Sequence, residues 1–137
     1  MCIIAFMPEE SSKTILVVDD EPMILKVVES RLKANGFRVI TAEDGVDGLN
    51  KARSEKPDLI ILDIMLPKMD GYRVCRLLKS DDRYKHIPII MFSARVQTED
   101  KEMGLESGAD DYLTKPFDPQ KFLEKIRELL PGAQKKI

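Results

Sequence analysis

One stretch decides how the chain folds: residues 58–71, which run Asp58-Leu59-Ile60-Ile61-Leu62-Asp63-Ile64-Met65-Leu66-Pro67-Lys68-Met69-Asp70-Gly71. Its apolar run stops at the carboxylate of Asp63, and such a run between turn residues is typical of a strand buried on both faces of a parallel sheet. Pro67 and Gly71 then indicate a loop. Ligands of open α/β sheets bind beyond the carboxyl ends of the strands, where Asp63 falls. From this stretch alone, a polar strand end that faces water explains Asp63 equally well.

Strand-like runs and helix-like periodic segments alternate along the whole chain. In the first helix, the spacing predicts that Ile24, Val27, Val28 and Leu32 face inward. Short connections between alternating elements predict an α/β fold with a doubly wound parallel sheet and helices on both faces. The predicted strands are residues 14–18, 37–42, 59–63, 89–92 and 111–114, and the predicted helices are residues 22–34, 46–55, 71–79, 97–107 and 118–130.

Length and composition describe one charged globular domain. The 137 residues include 22 basic and 24 acidic side chains, which give a net charge of -2 and no basic footprint for nucleic acid or an anionic membrane. Two distant cysteines and one histidine exclude a His/Cys metal cluster and favour a reducing, cytoplasmic location. Residues 1–12 are predicted to be a flexible extension too short to span a membrane, residues 13–131 the domain, and residues 132–137 a tail.

Chemistry-bearing side chains stand at the ends of four predicted strands. Asp19 and Asp20 follow the first strand, and Asp63 ends the third. Ser93 follows the fourth strand and Lys115 the fifth. Because the carboxyl ends of parallel strands share one edge, we expect three carboxylates, a hydroxyl and an ammonium group to converge there.

Three clustered carboxylates repel one another unless a cation lies among them. Oxygen ligands suit Mg²⁺, so Asp20 and Asp63 are predicted as direct ligands, with Asp19 acting directly or through water. A carboxylate is also a competent nucleophile toward a phosphoryl group, and Lys115 would help to neutralise the developing charge. Ser93 would donate a hydrogen bond to a phosphoryl oxygen.

With these motifs the chain resembles the receiver domains of two-component response regulators, which have the flavodoxin-like fold of the chemotaxis protein CheY. The resemblance covers residues 13 to about 130 and implies the strand order 2-1-3-4-5 with five helices. The motifs that carry it are Val17-Val18-Asp19-Asp20-Glu21-Pro22, residues 62–71, Phe92-Ser93-Ala94 and Gly108-Ala109-Asp110-Asp111-Tyr112-Leu113-Thr114-Lys115-Pro116-Phe117.

The resemblance also implies a role for each site residue. Asp63 would accept phosphate from a histidine kinase or a phosphotransfer protein, and Asp19, Asp20 and the Met65 carbonyl would hold Mg²⁺. Ser93 and Tyr112 would be the switch pair, and Lys115, whose bond to Pro116 would be cis, would contact the phosphoryl group. Met65 and Arg95 would tune how fast the phosphate is lost, although both are equally explained as ordinary loop residues.

Phosphorylation would then shift the face formed by residues 97–107, the fifth strand and the last helix between two conformations that bind an unidentified protein partner differently. The chain would act as a monomer or a phosphorylation-dependent dimer, and it would catalyse only its own phosphorylation and dephosphorylation.

Three other classes remain open at this point. A Mg²⁺-dependent phosphatase of the haloacid-dehalogenase type would use Asp63 as nucleophile, but it needs a general acid at the position of Met65 and usually a cap domain. A flavodoxin needs a hydroxyl-rich phosphate loop where Asp19, Asp20 and Glu21 stand. A receiver that signals without phosphate is disfavoured because every active-site position carries a residue that matches the motif for phosphorylation.

Overall fold

The computed structural model describes residues 13–93, 108–115 and 118–130 of the chain. Within them five parallel strands form one sheet, and its order 2-1-3-4-5 is the one predicted. The strands are β1 (Thr14–Val18), β2 (Arg38–Ala42), β3 (Leu59–Asp63), β4 (Ile89–Ser93) and β5 (Asp111–Thr114).

Four helices lie in the described segments: α1 (Pro22–Ala34), α2 (Gly45–Glu55), α3 (Gly71–Lys79) and α4 (Pro119–Leu129). The helix predicted for residues 97–107 lies outside them. In the part of the chain that the structure describes, every helix is too short or too polar to cross a membrane.

Each face of the sheet carries its own apolar core. Helices α2 and α3 pack on one face, and α1 and α4 pack on the other. The central strand β3 contributes to both cores and is buried along its whole length, as its unbroken apolar run predicts. Burial on both faces also fixes where β3 ends, so Asp63 is held at the carboxyl edge of the sheet.

Side-chain caps set where three of the helices begin. The carboxylate of Asp44 accepts the Asp47 N–H, and that of Asp70 accepts the Arg73 N–H. Asp118 accepts the Gln120 N–H in the same way. Each cap satisfies an amide that the first helical turn leaves without a backbone partner, so α2, α3 and α4 start at defined residues beside the carboxyl edge.

The inward stripe of α1 differs in part from the prediction. Val28 and Leu32 are buried as expected, but Val27 is 49% exposed and the buried residue before Val28 is Leu25. The spacing 25, 28, 32 follows one helix face, whereas Val27 lies on the adjacent one. The predicted stripe was therefore wrong at Val27, because several apolar residues in succession fit more than one helical phase.

Candidate functional site

The three predicted acids meet at the carboxyl edge of the sheet. Asp19 directly follows β1, and β1 pairs with β3 in a register that joins Val18 to Leu62, so Asp19 lies beside Asp63. Asp19 and Asp63 are buried, whereas Asp20 is exposed. One carboxylate oxygen from each of the three lies within 4.8 Å of the others. That spacing allows all three acids to contact one cation.

Lys115 supplies the positive charge of this cluster. Its Nζ lies 2.6 Å from Asp19 Oδ2 and 3.4 Å from Asp63 Oδ2. Glu21 adds a more distant carboxylate oxygen, at 3.6 Å. The side chain of Lys115 is itself mostly buried, so these ion pairs are screened less than surface pairs. Lys115 holds the acids together in the absence of another cation.

Asp19 is oriented by the backbone around it. Its Oδ1 accepts the Glu21 N–H at 2.9 Å, and its own N–H donates to the Ala42 carbonyl at 3.1 Å. Its Oδ2 is buried and receives no hydrogen bond of acceptable geometry from the described residues, although Lys115 Nζ lies close. A buried carboxylate oxygen without a donor is costly unless a cation is near it.

The donor set therefore fits a hard divalent cation. All three acids offer oxygen atoms, which Mg²⁺ prefers, and the exposure of Asp20 leaves room for the water ligands that this ion retains. Asp19, Asp20 and Asp63 are the residues that would hold it.

Burial and charge act together on Asp63. Loss of solvent contact, and then the nearby Asp19 carboxylate, raise the pKa of Asp63 to about 6, against the opposing effect of Lys115. Burial by itself would lower the pKa of Lys115, but its contacts with Asp19 and Asp63 outweigh burial and raise it. Lys115 therefore remains charged at neutral pH, and the Asp63 carboxylate loses its proton only as the pH approaches neutrality.

Lys115 is held in place through β4 as well. Its backbone N–H donates to the Ser93 carbonyl at 2.8 Å, which extends the pairing of β5 with β4. Its Nζ lies 5.2 Å from the ring centroid of buried Phe92, a cation–π arrangement. Phe92 in turn packs against Phe122 of α4, with ring centroids 6.2 Å apart. The position of Lys115 is therefore set by the core of the α1/α4 face.

Ser93 and Tyr112 lie on one face of neighbouring strands. The register pairs Met91 with Tyr112, and Ser93 follows Met91 by two residues, so its side chain projects to the same face. Ser93 is buried and Tyr112 is half-buried against the α2/α3 core. This placement is compatible with the predicted switch pair, whose role stays a prediction.

The loop that follows Asp63 is held by close backbone contacts. Gly71 donates its N–H to the Ile64 carbonyl at 2.9 Å, and a Cβ at Gly71 would collide with the Asp63 carbonyl. Glycine is therefore required where α3 begins, directly beneath the phosphoacceptor position predicted from the sequence. Met65, the second residue of the loop, is 66% exposed.

The structure thus brings Asp19, Asp20, Asp63 and Lys115 into one cluster, with Ser93 next to Lys115 along the sheet edge. The functional roles of these residues, of Tyr112 and of the Met65 carbonyl stay predictions. Arg95 and Pro116 lie outside the described residues.

Sequence reasoning missed Glu21 and Phe92, which both contact Lys115. Glu21 had a usable signal, because it follows two acids at a strand end. Phe92 had none, because a strand aromatic is ordinary core.

Comparisons with known proteins agree with this architecture. The family model described as "Response regulator receiver domain" matches residues 15–127. The alkaline phosphatase synthesis transcriptional regulatory protein PhoP of Bacillus subtilis is 48% identical over 90% of this chain and 50% of its own length. The DNA-binding dual master transcriptional regulator RpaA of Synechocystis is 48% identical over 85% of this chain and 48% of its own length. The chain spans about half the length of these curated relatives.

Solved structures show the same fold along nearly their whole length. Chemotaxis protein CheY4 of Vibrio cholerae is 34% identical, with a TM-score of 0.82, and the match covers 87% of this chain and 99% of that one. The receiver domain of the sensor histidine kinase PA1611 of Pseudomonas aeruginosa, solved with a magnesium ion in its active-site cleft, is 31% identical, with a TM-score of 0.81 and coverage of 86% and 97%. This chain belongs to the response regulator receiver domain family.

Proposed function

We propose that the chain is a phosphorylation-activated receiver that accepts a phosphoryl group on Asp63 from a histidine kinase or a phosphotransfer protein. One observation carries the proposal: Asp63 ends the central strand, in one cluster with two further acids and the ammonium group of Lys115. A nucleophile at this place has both a set of metal-binding oxygens and a fixed positive charge beside it.

In the transfer step, an Asp63 carboxylate oxygen forms the new bond to phosphorus while the phosphorus–nitrogen bond of a phosphohistidine breaks. The bonding electrons leave with the imidazole of the kinase. Mg²⁺, held by Asp19, Asp20, Asp63 and the Met65 carbonyl, would neutralise charge on the transferred group. The magnesium ion in the active-site cleft of the PA1611 receiver domain supports a magnesium site in this chain.

Lys115 and the switch pair act on the product. Lys115 now pairs with Asp19 and Asp63, and it would exchange part of this pairing for a phosphoryl oxygen. The Ser93 hydroxyl would donate to another oxygen, and Tyr112 would follow by turning its ring inward. This differential stabilisation would shift residues 97–107, β5 and α4 toward the conformation that the downstream protein binds.

The chain would catalyse only its own phosphorylation and dephosphorylation. A phosphatase of the haloacid-dehalogenase type needs a general acid two residues after its nucleophile, and Met65 cannot serve as one. We place the protein in the cytoplasm with its kinase, as a monomer or a phosphorylation-dependent dimer. DNA binding by relatives such as RpaA belongs to proteins about twice as long as this chain.

The test is labelling by a small acyl-phosphate donor with Mg²⁺. We expect one acid-stable, base-labile phosphate per chain, as an acyl phosphate gives. Asp63→Asn keeps the shape but lacks the nucleophilic oxygen, so labelling should disappear while the circular dichroism spectrum is retained. Asp82→Asn is the matched control, since this acid is almost fully exposed and precedes the start of β4, at the end of the sheet opposite Asp63.

Labelling of Asp63→Asn at the wild-type rate would refute the site assignment. Sustained turnover of generic phosphate esters by the wild-type protein would instead favour the phosphatase. Lys115→Ala should still accept the label but should fail to change the Tyr112 environment, which tyrosine fluorescence or NMR would monitor.

A further inference from the structure

The first turn of α2 rests against the loop that follows Asp63. The N–H of Gly45 donates to the Pro67 carbonyl at 3.1 Å. A Cβ at Gly45 would lie 2.6 Å from the Met69 carbonyl carbon and would overlap its oxygen outright. Any side chain at this position would therefore push the loop away from α2. Gly45 has no role in the predicted chemistry, and its α-helical position gives no conformational reason for glycine.

The loop itself has little conformational freedom to accommodate a side chain at position 45. The Ile64 carbonyl accepts both the Leu66 N–H, at 3.1 Å, and the Gly71 N–H, at 2.9 Å. Lys68 adopts a φ of 69°, which is unfavourable for a residue with a Cβ. An ion pair of 3.6 Å joins Lys68 to Asp44, the residue that caps α2. The α2 turn and the loop are thus joined by a hydrogen bond, a close backbone contact and a charge pair.

This loop begins directly after Asp63 and contains Met65 at its second position. Gly71 fixes its far end against the Asp63 carbonyl, while Gly45 fixes its middle. A displacement at Pro67 or Met69 would move the backbone two to four residues away, which is where Met65 lies.

We propose that Gly45 is a positioning residue for the cation site: by letting α2 contact the Pro67 and Met69 carbonyls, it places the β3–α3 loop backbone where it can serve as a ligand beside Asp63. The inference rests on the proposed function, because that function puts the Met65 carbonyl at the metal. Gly45 acts through the loop and contacts neither the metal nor the phosphoryl group.

Gly45→Ala tests the proposal, with Gly36→Ala as the control. Gly36 has a φ of 89° after α1, far along the chain from the loop, so its substitution destabilises the fold through backbone strain alone. Mg²⁺ binding to each purified protein is measured by calorimetry, and thermal unfolding is measured without metal. We expect both variants to lose stability, but only Gly45→Ala to bind Mg²⁺ about tenfold more weakly, the usual size of an outer-shell effect.

A second measurement uses the wild-type protein and carries no risk of misfolding. If the contact at Gly45 favours metal binding, metal binding must favour the contact to the same extent. Saturating Mg²⁺ should therefore slow hydrogen exchange of the Gly45 amide, which donates to Pro67. The Gly48 amide donates to the carbonyl of Asp44, the capping residue of the same helix, and its exchange should be slowed distinctly less.

The outcomes separate this proposal from the proposed function. Equal Mg²⁺ affinity in Gly45→Ala and Gly36→Ala, or equal slowing of the two amides, would overturn the positioning role while the wild-type protein still labels on Asp63. A wild-type protein that binds Mg²⁺ but does not label refutes the phosphoacceptor and leaves the positioning role to stand on the binding data. If Gly45→Ala does not fold, the exchange measurement decides.

Discussion

Asp63 is a carboxylate in surroundings that oppose its ionisation. Burial and the neighbouring Asp19 together raise the pKa of Asp63 to about 6. The unfolded chain ionises the same group near its ordinary pKa of about 4. Between these two pKa values the folded protein keeps a proton on Asp63 that the unfolded chain has released. The free energy of unfolding therefore falls as the pH rises through this range, and the loss is complete above the folded pKa.

We therefore predict that Asp63→Asn stabilises the metal-free protein at neutral pH. Asparagine keeps the shape and carries no charge, so the gain should be about 2 to 3 kcal/mol at pH 7 and should fall below about 0.5 kcal/mol near pH 4. Urea unfolding in the presence of a chelator, at both pH values, measures it. A variant that is less stable than wild type at neutral pH would show that the ion pair with Lys115 outweighs burial.

Asp81 serves as a control because its pKa is shifted in the opposite direction to that of Asp63. The hydrogen bonds from Arg83 lower the pKa of Asp81 to about 2. A carboxyl with a lowered folded pKa contributes stability above its unfolded pKa and loses it as the pH falls toward the folded value. Asp81→Asn should accordingly lower stability at neutral pH, so the two substitutions should give pH dependences that run in opposite directions.

The side chain of Met65 bears on how long the phosphoprotein lasts. Its side chain is 66% exposed two residues after Asp63, and a thioether cannot hold a water molecule for attack on an acyl phosphate. We expect a comparatively long-lived phosphoprotein, and we expect Met65→Asn to shorten its lifetime because an amide can orient water. Following the decay of the labelled protein measures this. Unchanged or slower loss in the variant would contradict the prediction.

At the scale of elements, Lys79 joins three segments at the amino edge of the sheet. From the last turn of α3, its Nζ donates to the Ile87 carbonyl at 2.7 Å and to Asp110 Oδ2 at 2.8 Å. The same Asp110 oxygen accepts the N–H of Ile89, the first residue of β4, at 2.8 Å. One ammonium group thus connects α3 with the starts of β4 and β5.

We predict that Lys79→Met destabilises the fold by about 1 to 2 kcal/mol, because the partly buried Ile87 carbonyl loses this donor and Asp110 loses its ion-pair partner. Lys85→Met is the control: its ion pair with Asp82 is exposed and should contribute less than about 0.5 kcal/mol. Denaturant unfolding of the two variants compares these values. Equal losses would mean that water replaces the Lys79 ammonium group at little cost.

The elements themselves could be predicted from the sequence because local patterns specify them. The apolar run of β3 matches its observed bounds, and acids or prolines mark the helix starts at Asp44, Asp70 and Pro22. The Lys79 connection could not be predicted, because it depends on where three chain segments distant in sequence meet. Residues 80–88 show the same limit: their composition is typical of a polar loop, yet Tyr84 and Ile87 are buried.

At the scale of the whole molecule, parallel topology is what made the acid cluster predictable. Once five strands run the same way, the residues after their carboxyl ends must share an edge, and Asp19, Asp20, Asp63 and Lys115 do. Gly45 was not predictable by this logic, because its role depends on a contact between one helix turn and a loop. Sequence order shows which residues share an edge, while close contacts between backbones follow only from the packed structure.

The cluster also links metal binding to the stability of the whole fold. A ligand that binds only the folded protein stabilises it by RT ln(1 + [L]/Kd), which is about 1.4 kcal/mol at ten times Kd. We predict that Mg²⁺ raises the midpoint of thermal unfolding in a saturable way, and that Asp20→Ala abolishes this rise. Asp20 is the exposed member of the cluster, so its removal should change metal-free stability little.

Salt alone could also raise the midpoint of thermal unfolding, since screening relieves repulsion among the three acids. Measuring the midpoint in NaCl at the same ionic strength as the Mg²⁺ solution separates specific binding from this screening. Asp82→Ala, which removes an acid distant from the cluster, should keep the full response to Mg²⁺. If Asp20→Ala responds to Mg²⁺ like wild type, Asp20 is not a ligand, and the remaining acids, Asp19 and Asp63, hold the ion without it. If NaCl reproduces the whole rise, the stabilisation is electrostatic screening and the cluster holds no specific cation.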